Sequence, residues 1–526
     1  VPIDFTLLDE VRPLDLIEMN LEFPESLLSL EGKRVQLTGF MAPYDSLNDM
    51  RRCMIVPSYV GCTFCSPPSL TQVVYVQQKE QSGGEFPFIE PPSRVSGILR
   101  LSEGEEMHAG HQEGFVYVID DAVVTPYLGD DAPERAPGHG GRNSLDPSAH
   151  ANAASGLKPV AFDVLTKEVS ELRGLSPLKE IQFERVPMKQ LKRRVREDME
   201  WSYPLESREA LVSMFHLLGF FDIPDSDSDS EWDWENLMIS LSLHQRIAWV
   251  GEKGEVIEVL DSAATDDPFT RLELVKYIAD ALVRQHFATA RPPAELFRDS
   301  NRALEGVRQG NKQLTAFRYA RQRNISPASR PPEDLFTQFP KAEQAPPLVD
   351  LWYWLPWETG PFFVESRTGA TKDLSHIDEL FEQPPVSTVE LFRPGRYRDR
   401  VEAGNEVREN IVHCAIRESP VIEGRLGIGG LIPWLMGSLP LDQAKGVSGR
   451  ALADRYSLWN LPDCGYVLLL DTSWPDGVTA RIFLENVPAH PVQIVQDNPA
   501  APHSVRIIRA ETEEGLQLVV TELNGE

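Results

Sequence analysis

No run of roughly 20 apolar residues occurs anywhere in this sequence, so it offers no segment that would cross a bilayer as a helix. Basic charge is also scarce. Lys and Arg number 51 against 80 Asp and Glu, giving a formal net charge of -29. The one basic cluster, "KQLKRRVRED" from Lys189, reads as the solvated face of a mixed-charge helix. Nucleic acid is therefore not an expected partner, and an acidic surface repels anionic lipid headgroups. Five cysteines exclude a dense disulfide scaffold. Three of them fall close together, Cys53, Cys62 and Cys65, while Cys414 and Cys464 stand alone, so one or two bridges in an oxidising compartment stay open. Internal repeats are absent too.

With 526 residues, 41% hydrophobic and 25% charged, the chain is expected to be globular and multidomain. It opens on Val1 rather than Met, which predicts a removed upstream piece, either a signal peptide or a membrane anchor. Up to about residue 128 the sequence is a series of β-like runs: "KRVQLTGFMAPY", "MIVPSYVG", "QVVYVQQ", "RVSGILRL" and "GFVYVIDDAVV". Each is short, rich in Val, Ile, Tyr and Phe, and bounded by Gly or Pro, the pattern of a five-stranded OB-like β-barrel. Residues 129–159 lack apolar periodicity and are rich in Gly, Pro, Ala, Ser and Asp, which reads as a linker. Residues 160–526 read as a mainly helical α+β domain. "DVLTKEVSELRGL" has the form of a helix closed by Gly174, and "RIAWVGEKGEVIEVLD" that of a hairpin turning at Gly251–Gly254. "CGYVLLLDTSWPDGVTARIFLENV" reads as strand, loop and helix.

The segment "LVKYIADALVRQHF" is amphipathic, with Leu274, Ile278, Ala281 and Leu282 on one helix face. It resembles the zinc-binding helix, of the type HELTHALQDQHF, in a family of bacterial extracytoplasmic zincin-like metallopeptidases. "ALEGVRQGNKQLTAFRYA" resembles that family's later helix, of the type ALVEGDA, which supplies a third ligand. "VSELRGLSPLKEIQFERVP", "LPWETGPFFVES", "PPVSTVELFRPGRY", "ALADRYSLW" and "TSWPDGVTARIF" follow the order of other family segments, from about Phe162 onward. In such enzymes two histidines hold zinc and the glutamate between them activates a water.

At the matching positions the chemistry is gone. Lys276 stands for the first histidine, Tyr277 for the glutamate, Asp280 for the second histidine and Gln309 for the third ligand. A cation repels zinc, a tyrosine is no carboxylate base, and a catalytic zinc needs three protein ligands. His286 matches a histidine outside the metal set and is expected to pack or cap the helix. Glu273, Glu305 and Asp280 are the residues that would have to gather for a replacement site, such as one for calcium. The resemblance thus implies a pseudopeptidase.

The first part has its own resemblance. Gly39, Phe40, Met41, Pro57, Gly61, Cys62, Pro67 and Pro68 match an uncharacterised family of periplasmic OB-like domains, in which a GFM strand is followed by VPY-x-G-x-C and a proline-rich turn. Some members are encoded beside metal-uptake or ABC-transporter genes, which implies an accessory role in an envelope assembly. Cys62 and Cys65 form a CxxC, open to a soft-metal site with His108 and His111, to a redox or disulfide pair, or to inert packing. Pro67 and Pro68 do not read as the helix start that lowers a thiol pKa.

In "DSDSDSEWDWEN", Asp225, Asp227 and Asp229 alternate as in a calcium loop. Ser230 and Asn236 occupy the places of its glycine and bidentate glutamate, so a solvated acidic loop is expected. The reading is a non-catalytic extracytoplasmic subunit that binds other proteins of an envelope or membrane assembly, with no cofactor required. Two alternatives stay open. One is a metal-handling protein using zinc or copper at Cys62 and Cys65, and the other is a hydrolase with a relocated site.

Overall fold

A computed structural model describes residues 1–8, 10–17, 19–43, 52–56, 73–78, 92–102, 115–127, 160–221, 234–243, 246–290, 297–323, 325, 346–368, 374–403, 419–497 and 503–524. The N-terminal part opens with a short helix α1 (Phe5–Leu8), a hairpin β1 (Arg12–Asp15) and β2 (Asn20–Glu22), and a second short helix α2 (Glu25–Leu28). Five strands follow: β3 (Arg34–Pro43), β4 (Arg52–Val56), β5 (Val74–Gln78), β6 (Ser93–Leu101) and β7 (Tyr117–Pro126). They pair around a closed ring in the order β3-β4-β5-β7-β6. All neighbours are antiparallel except β5 and β7, which are parallel. Alternation drives this arrangement. On β6, Val95 and Leu99 are fully buried while Arg94 and Ser96 face outward, and Leu37, Ile55 and Val76 fill the same interior. Gly39 is required where β3 crosses β4, since a Cβ there would lie 2.7 Å from the Val56 carbonyl oxygen. Each of the five β-like runs read from the sequence overlaps one of these strands.

Cys53 lies inside the barrel, unbridged, and burial pushes its thiol up to about 12. Cys464 is also free. The other three cysteines fall outside the described residues.

The second part begins with α3 (Phe162–Arg173), closed by Gly174 at φ 73° as the sequence predicts. Next come β8 (Gln182–Val186), α4 (Met188–Ser202), α5 (Leu205–Leu217), α6 (Trp234–Leu243), β9 (Ala248–Val250) and β10 (Val256–Leu260). β10 runs parallel to β8 and forms the expected hairpin with β9. Three long helices follow, α7 (Pro268–His286), α8 (Asp299–Arg323) and α9 (Pro347–Thr368). α7 starts cleanly because the Asp267 carboxylate accepts from Thr270 N at 2.6 Å and Pro268 takes the first helical position. Its apolar face, including Leu274, Val275 and Ile278, is fully buried.

α8 and α9 approach at glycines. A Cβ on Gly360 would lie 2.0 Å from the Gly306 carbonyl oxygen, and one on Gly310 would lie 2.5 Å from that of Gly360. Pro356 and Pro361 sit inside α9 and remove the amides that would bond the carbonyls of Trp352 and Trp357. Both freed carbonyls are taken up by α8, the first by the Arg302 guanidinium and the second by Gln313 Nε2 at 3.4 Å. The prolines thus tie α9 to its neighbour instead of breaking it.

Farther on, the expected strand, loop and helix at the chain's end belong to a larger unit. It is a five-stranded sheet of β11 (Ile422–Gly424), β12 (Ala453–Leu461), β13 (Gly465–Ser473), β14 (Gln493–Asp497) and β15 (Ser504–Ala510), in the order β11-β12-β13-β15-β14 and antiparallel throughout. Inside it Arg506 and Asp471 form a buried ion pair at 2.8 Å.

The two parts also touch directly, which the sequence did not suggest. Leu16 N donates to the Phe392 carbonyl at 2.8 Å, and Arg393 Nε lies 3.0 Å from Asp15 Oδ2. Among the described residues the chain has no helix long and apolar enough to cross a membrane.

Candidate functional site

α4, β9, α7, α8 and α9 surround one cleft. Its floor is made of side chains from α7 and α8, and its walls are aromatic: Trp249 from β9, Tyr277 from α7, Tyr353 and Trp357 from α9. The cavity volume is about 70 Å³, room for on the order of five waters or a small organic group.

The floor centres on Asp280, which is 1% exposed. Arg284, one turn further along α7, donates to its Oδ2 at 2.7 Å, and Arg308 of α8 donates to Oδ1 at 3.3 Å. The Lys312 ammonium lies 3.6 Å from Oδ2. Burial by itself raises the carboxyl pKa. The charges of Arg284, Lys312 and Arg308, with the Arg284 hydrogen bond, more than reverse that and hold Asp280 well below the ordinary carboxylate range. Lys312 moves the other way. Burial and the neighbouring Arg308 and Arg284 push it down to about 8 against the pull of Asp280 and Glu305. Glu305 is held by Arg308 Nη1 and by Gln309 Nε2.

At the cleft wall the Arg246 guanidinium makes one hydrogen bond among the described residues, 3.5 Å to Asp198 Oδ2, and Trp249 Nε1 donates to the same oxygen at 3.0 Å. Tyr353 OH and Ser242 Oγ share a hydrogen bond at 3.0 Å. Burial raises the pKa of both Tyr277 and Tyr353, so neither phenol ionises near neutrality.

Of the four positions that the sequence resemblance set against metallopeptidase ligands, the structure brings Tyr277 and Asp280 into this cleft. Lys276 points aside and pairs with Glu273, while Gln309 is buried against Glu305. The carboxylates weighed for a hard cation are each paired with a cation: Asp280 with three, Glu305 with Arg308, Glu273 with Lys276. Among the described residues no three His, Cys, Asp or Glu side chains gather as a metal ion would need. His286 Nε2 lies 2.7 Å from the Ser176 carbonyl, a packing contact at the end of α7. Cys62, Cys65, His108 and His111, like Asp225, Asp227 and Asp229, lie outside the described residues.

Sequence reasoning missed Arg246, Arg308, Lys312 and the hydroxyls of Ser242 and Tyr353. On α8, Arg308 and Lys312 fall one turn apart, but Gln309, Asn311 and Gln313 flank them and give no sequence signal of burial.

A family model described as "Protein of unknown function (DUF3299)" matches residues 19–125, from the residue before the second hairpin strand to the penultimate residue of the last barrel strand, well under half of the chain. A crystal structure of a DUF3299 family protein from Pseudomonas aeruginosa PAO1 is similar over 22% of this chain and 71% of that chain, at 23% identity and a TM-score of 0.16. No curated protein matches this sequence.

Proposed function

We propose that this chain is a non-catalytic binding subunit of an extracytoplasmic, envelope- or membrane-associated protein assembly. In this reading an OB-like barrel is joined to a zincin-like domain whose catalytic centre has been replaced by ion pairs. The observation that carries it is Asp280. At the position where the resemblance puts a zinc-binding histidine stands a carboxylate whose oxygens are engaged by Arg284, Arg308 and Lys312. A metal cation bound there would have to displace or neighbour three positive charges, each worth several kcal/mol of repulsion in a poorly solvated site. The former general base is a phenol whose ionisation burial opposes. The OB-like reading of the barrel is supported by its ring order and by the single parallel pair, β5 with β7.

The test is to incubate the full chain with a mixed peptide library, with and without added zinc or calcium, and to read new termini by mass spectrometry. No new termini are expected. Cleavage abolished by Glu305→Gln would overturn the reading in favour of a relocated hydrolase. Metal analysis on the same preparation covers the barrel. About one equivalent of zinc or copper, lost in a Cys62→Ser/Cys65→Ser variant, would move the function to the CxxC loop.

A further inference from the structure

The cleft holds more positive charge than its own partners neutralise. Arg246, Arg284, Arg308 and Lys312 line it against three carboxylates, Asp198, Asp280 and Glu305. In a chain of net charge -29 this is a local reversal of sign. Two of the four cations each hydrogen-bond two acceptors, although the Nε of both is buried without a partner among the described residues. Arg284 bonds both Asp280 and the Val250 carbonyl, and Arg308 bonds both Glu305 and Asp280. The other two place fewer of their donors on the protein.

Lys312 is 9% exposed, yet among the described residues its ammonium has no hydrogen-bond acceptor and only the Asp280 oxygen at 3.6 Å. The ammonium carries three donors and lines the cavity, so a ligand there can accept from it. Arg246 carries five N–H donors on its guanidinium and, among the described residues, places one of them, at the limiting distance of 3.5 Å. Both side chains line the same cavity, and both feel the charge of Glu305. Among the described residues Glu305 accepts from Arg308 and Gln309 and hydrogen-bonds neither Lys312 nor Arg246. Ser242 and Tyr353 place hydroxyls on the same lining, and Trp249, Tyr277 and Trp357 supply aromatic walls.

We propose that this cleft is a carboxylate-binding site, in which Lys312 and Arg246 take the two oxygens of a single carboxylate and the aromatic walls take the apolar group attached to it. The volume admits a carboxylate with one side chain, not a folded partner. The ligand is therefore a small organic acid or the C-terminal residue of an extended peptide. Capture of a terminal carboxylate is an established mode of peptide recognition. The proposal rests on the non-catalytic reading above, because a bound terminus would be held without being cleaved.

The experiment is a calorimetric titration of the full chain with N-acetylphenylalanine and with its amide, repeated with a tetrapeptide ending in phenylalanine, free and amidated. Both free acids should bind at least about tenfold more tightly than the amides, the usual range for a lost charge-assisted hydrogen bond. Lys312→Met should weaken the acids by about tenfold or more and leave the amides unchanged. It removes one of the three cations around Asp280, and the two that hydrogen-bond it, Arg284 and Arg308, remain. Arg246→Gln gives a second reading if the first variant folds poorly. A tetrapeptide acid bound about tenfold more tightly than the acetylated residue identifies a peptide terminus, and equal affinity identifies a small acid; both results uphold the site. Equal binding of acid and amide, unchanged binding by both variants, or no binding of any probe would overturn it. Mass spectrometry of the same samples keeps the two readings apart: a hydrolysed tetrapeptide defeats the non-catalytic reading, whereas an intact, unbound one defeats only the carboxylate site.

Discussion

Gly360 rests its Cα on the backbone of Gly306, so closely that a Cβ at position 360 would fall 2.0 Å from the Gly306 carbonyl oxygen. This contact sets the separation of α8 and α9, and with it the width of the cleft between Lys312 on one helix and Tyr353 and Trp357 on the other. A contact of 2.0 Å to backbone cannot be relieved by rotating a side chain, so the helices must part.

Gly360→Ala is therefore expected to destabilise the fold by about 1–3 kcal/mol or more in urea unfolding, the range for overpacking. Gly446→Ala is the control. That glycine lies in the helix Leu441–Gly449 with nothing within 4 Å of its would-be Cβ, and the change should be neutral or stabilising by about 0.5–1 kcal/mol. If both variants unfold alike, the glycine contact does not hold the helices together.

Removing one partner from the ion network should cost far more than removing a surface pair. Asp280→Ala would leave Arg284, Arg308 and Lys312 facing one another with their carboxylate gone, and uncompensated buried charge costs about 3–5 kcal/mol. Lys276→Ala loses only a partly solvated pair with Glu273 and should cost about 1 kcal/mol or less. Denaturant midpoints of the two variants decide it, and equal losses would show that Asp280 is not the keystone of the floor. Asp280→Leu should recover little, because the cations remain.

Much of the fold was legible in the sequence because its cause is local. The five barrel strands follow from alternation between Gly and Pro, helix α3 ends where Gly174 takes φ 73°, and the strand–loop–helix at residues 464–487 follows from an apolar run and an Asp cap. The docked hairpin was not legible, since Arg12–Asp15 owes its place to Phe392 and Arg393, nearly 400 residues away. The short partner strands β11 and β14 are fixed by their neighbours in the sheet and carry no periodicity of their own. At the site, motif comparison pointed to positions 276, 277, 280 and 309 and so found Asp280. Lys312 and Arg246 stayed hidden because an isolated base reads as solvated until the structure surrounds it with Tyr277, Tyr353 and Trp357.

A buried pair of acids, Asp299 and Asp454, should make stability fall as pH rises through neutrality. Asp299 accepts from Ser387 Oγ at 2.6 Å and Thr388 N at 3.1 Å, and Asp454 accepts from Leu426 N at 2.6 Å and Gly427 N at 3.1 Å. The two carboxylates share Gly427, whose Cβ would lie 2.1 Å from an Asp299 oxygen. Burial raises the Asp454 pKa most, and the charge of Asp299 adds to it, while the two backbone amides and Arg425 pull it down; the balance is about 7. Asp299 is also raised, chiefly by burial, against the pull of its hydroxyl donors and Arg302. An unfolded aspartate titrates near ~3.9. The native state therefore binds protons more tightly, and the stability this pair contributes is full below about pH 4 and lost as pH rises through about 7. Asp280 has the opposite sign, but its loss falls at acid pH, clear of that window. Urea unfolding between about pH 5 and pH 8 should show a decline in the native chain that Asp454→Asn flattens. Parallel profiles for the two proteins would mean that Asp454 stays ionised throughout and that its neighbours compensate its burial fully.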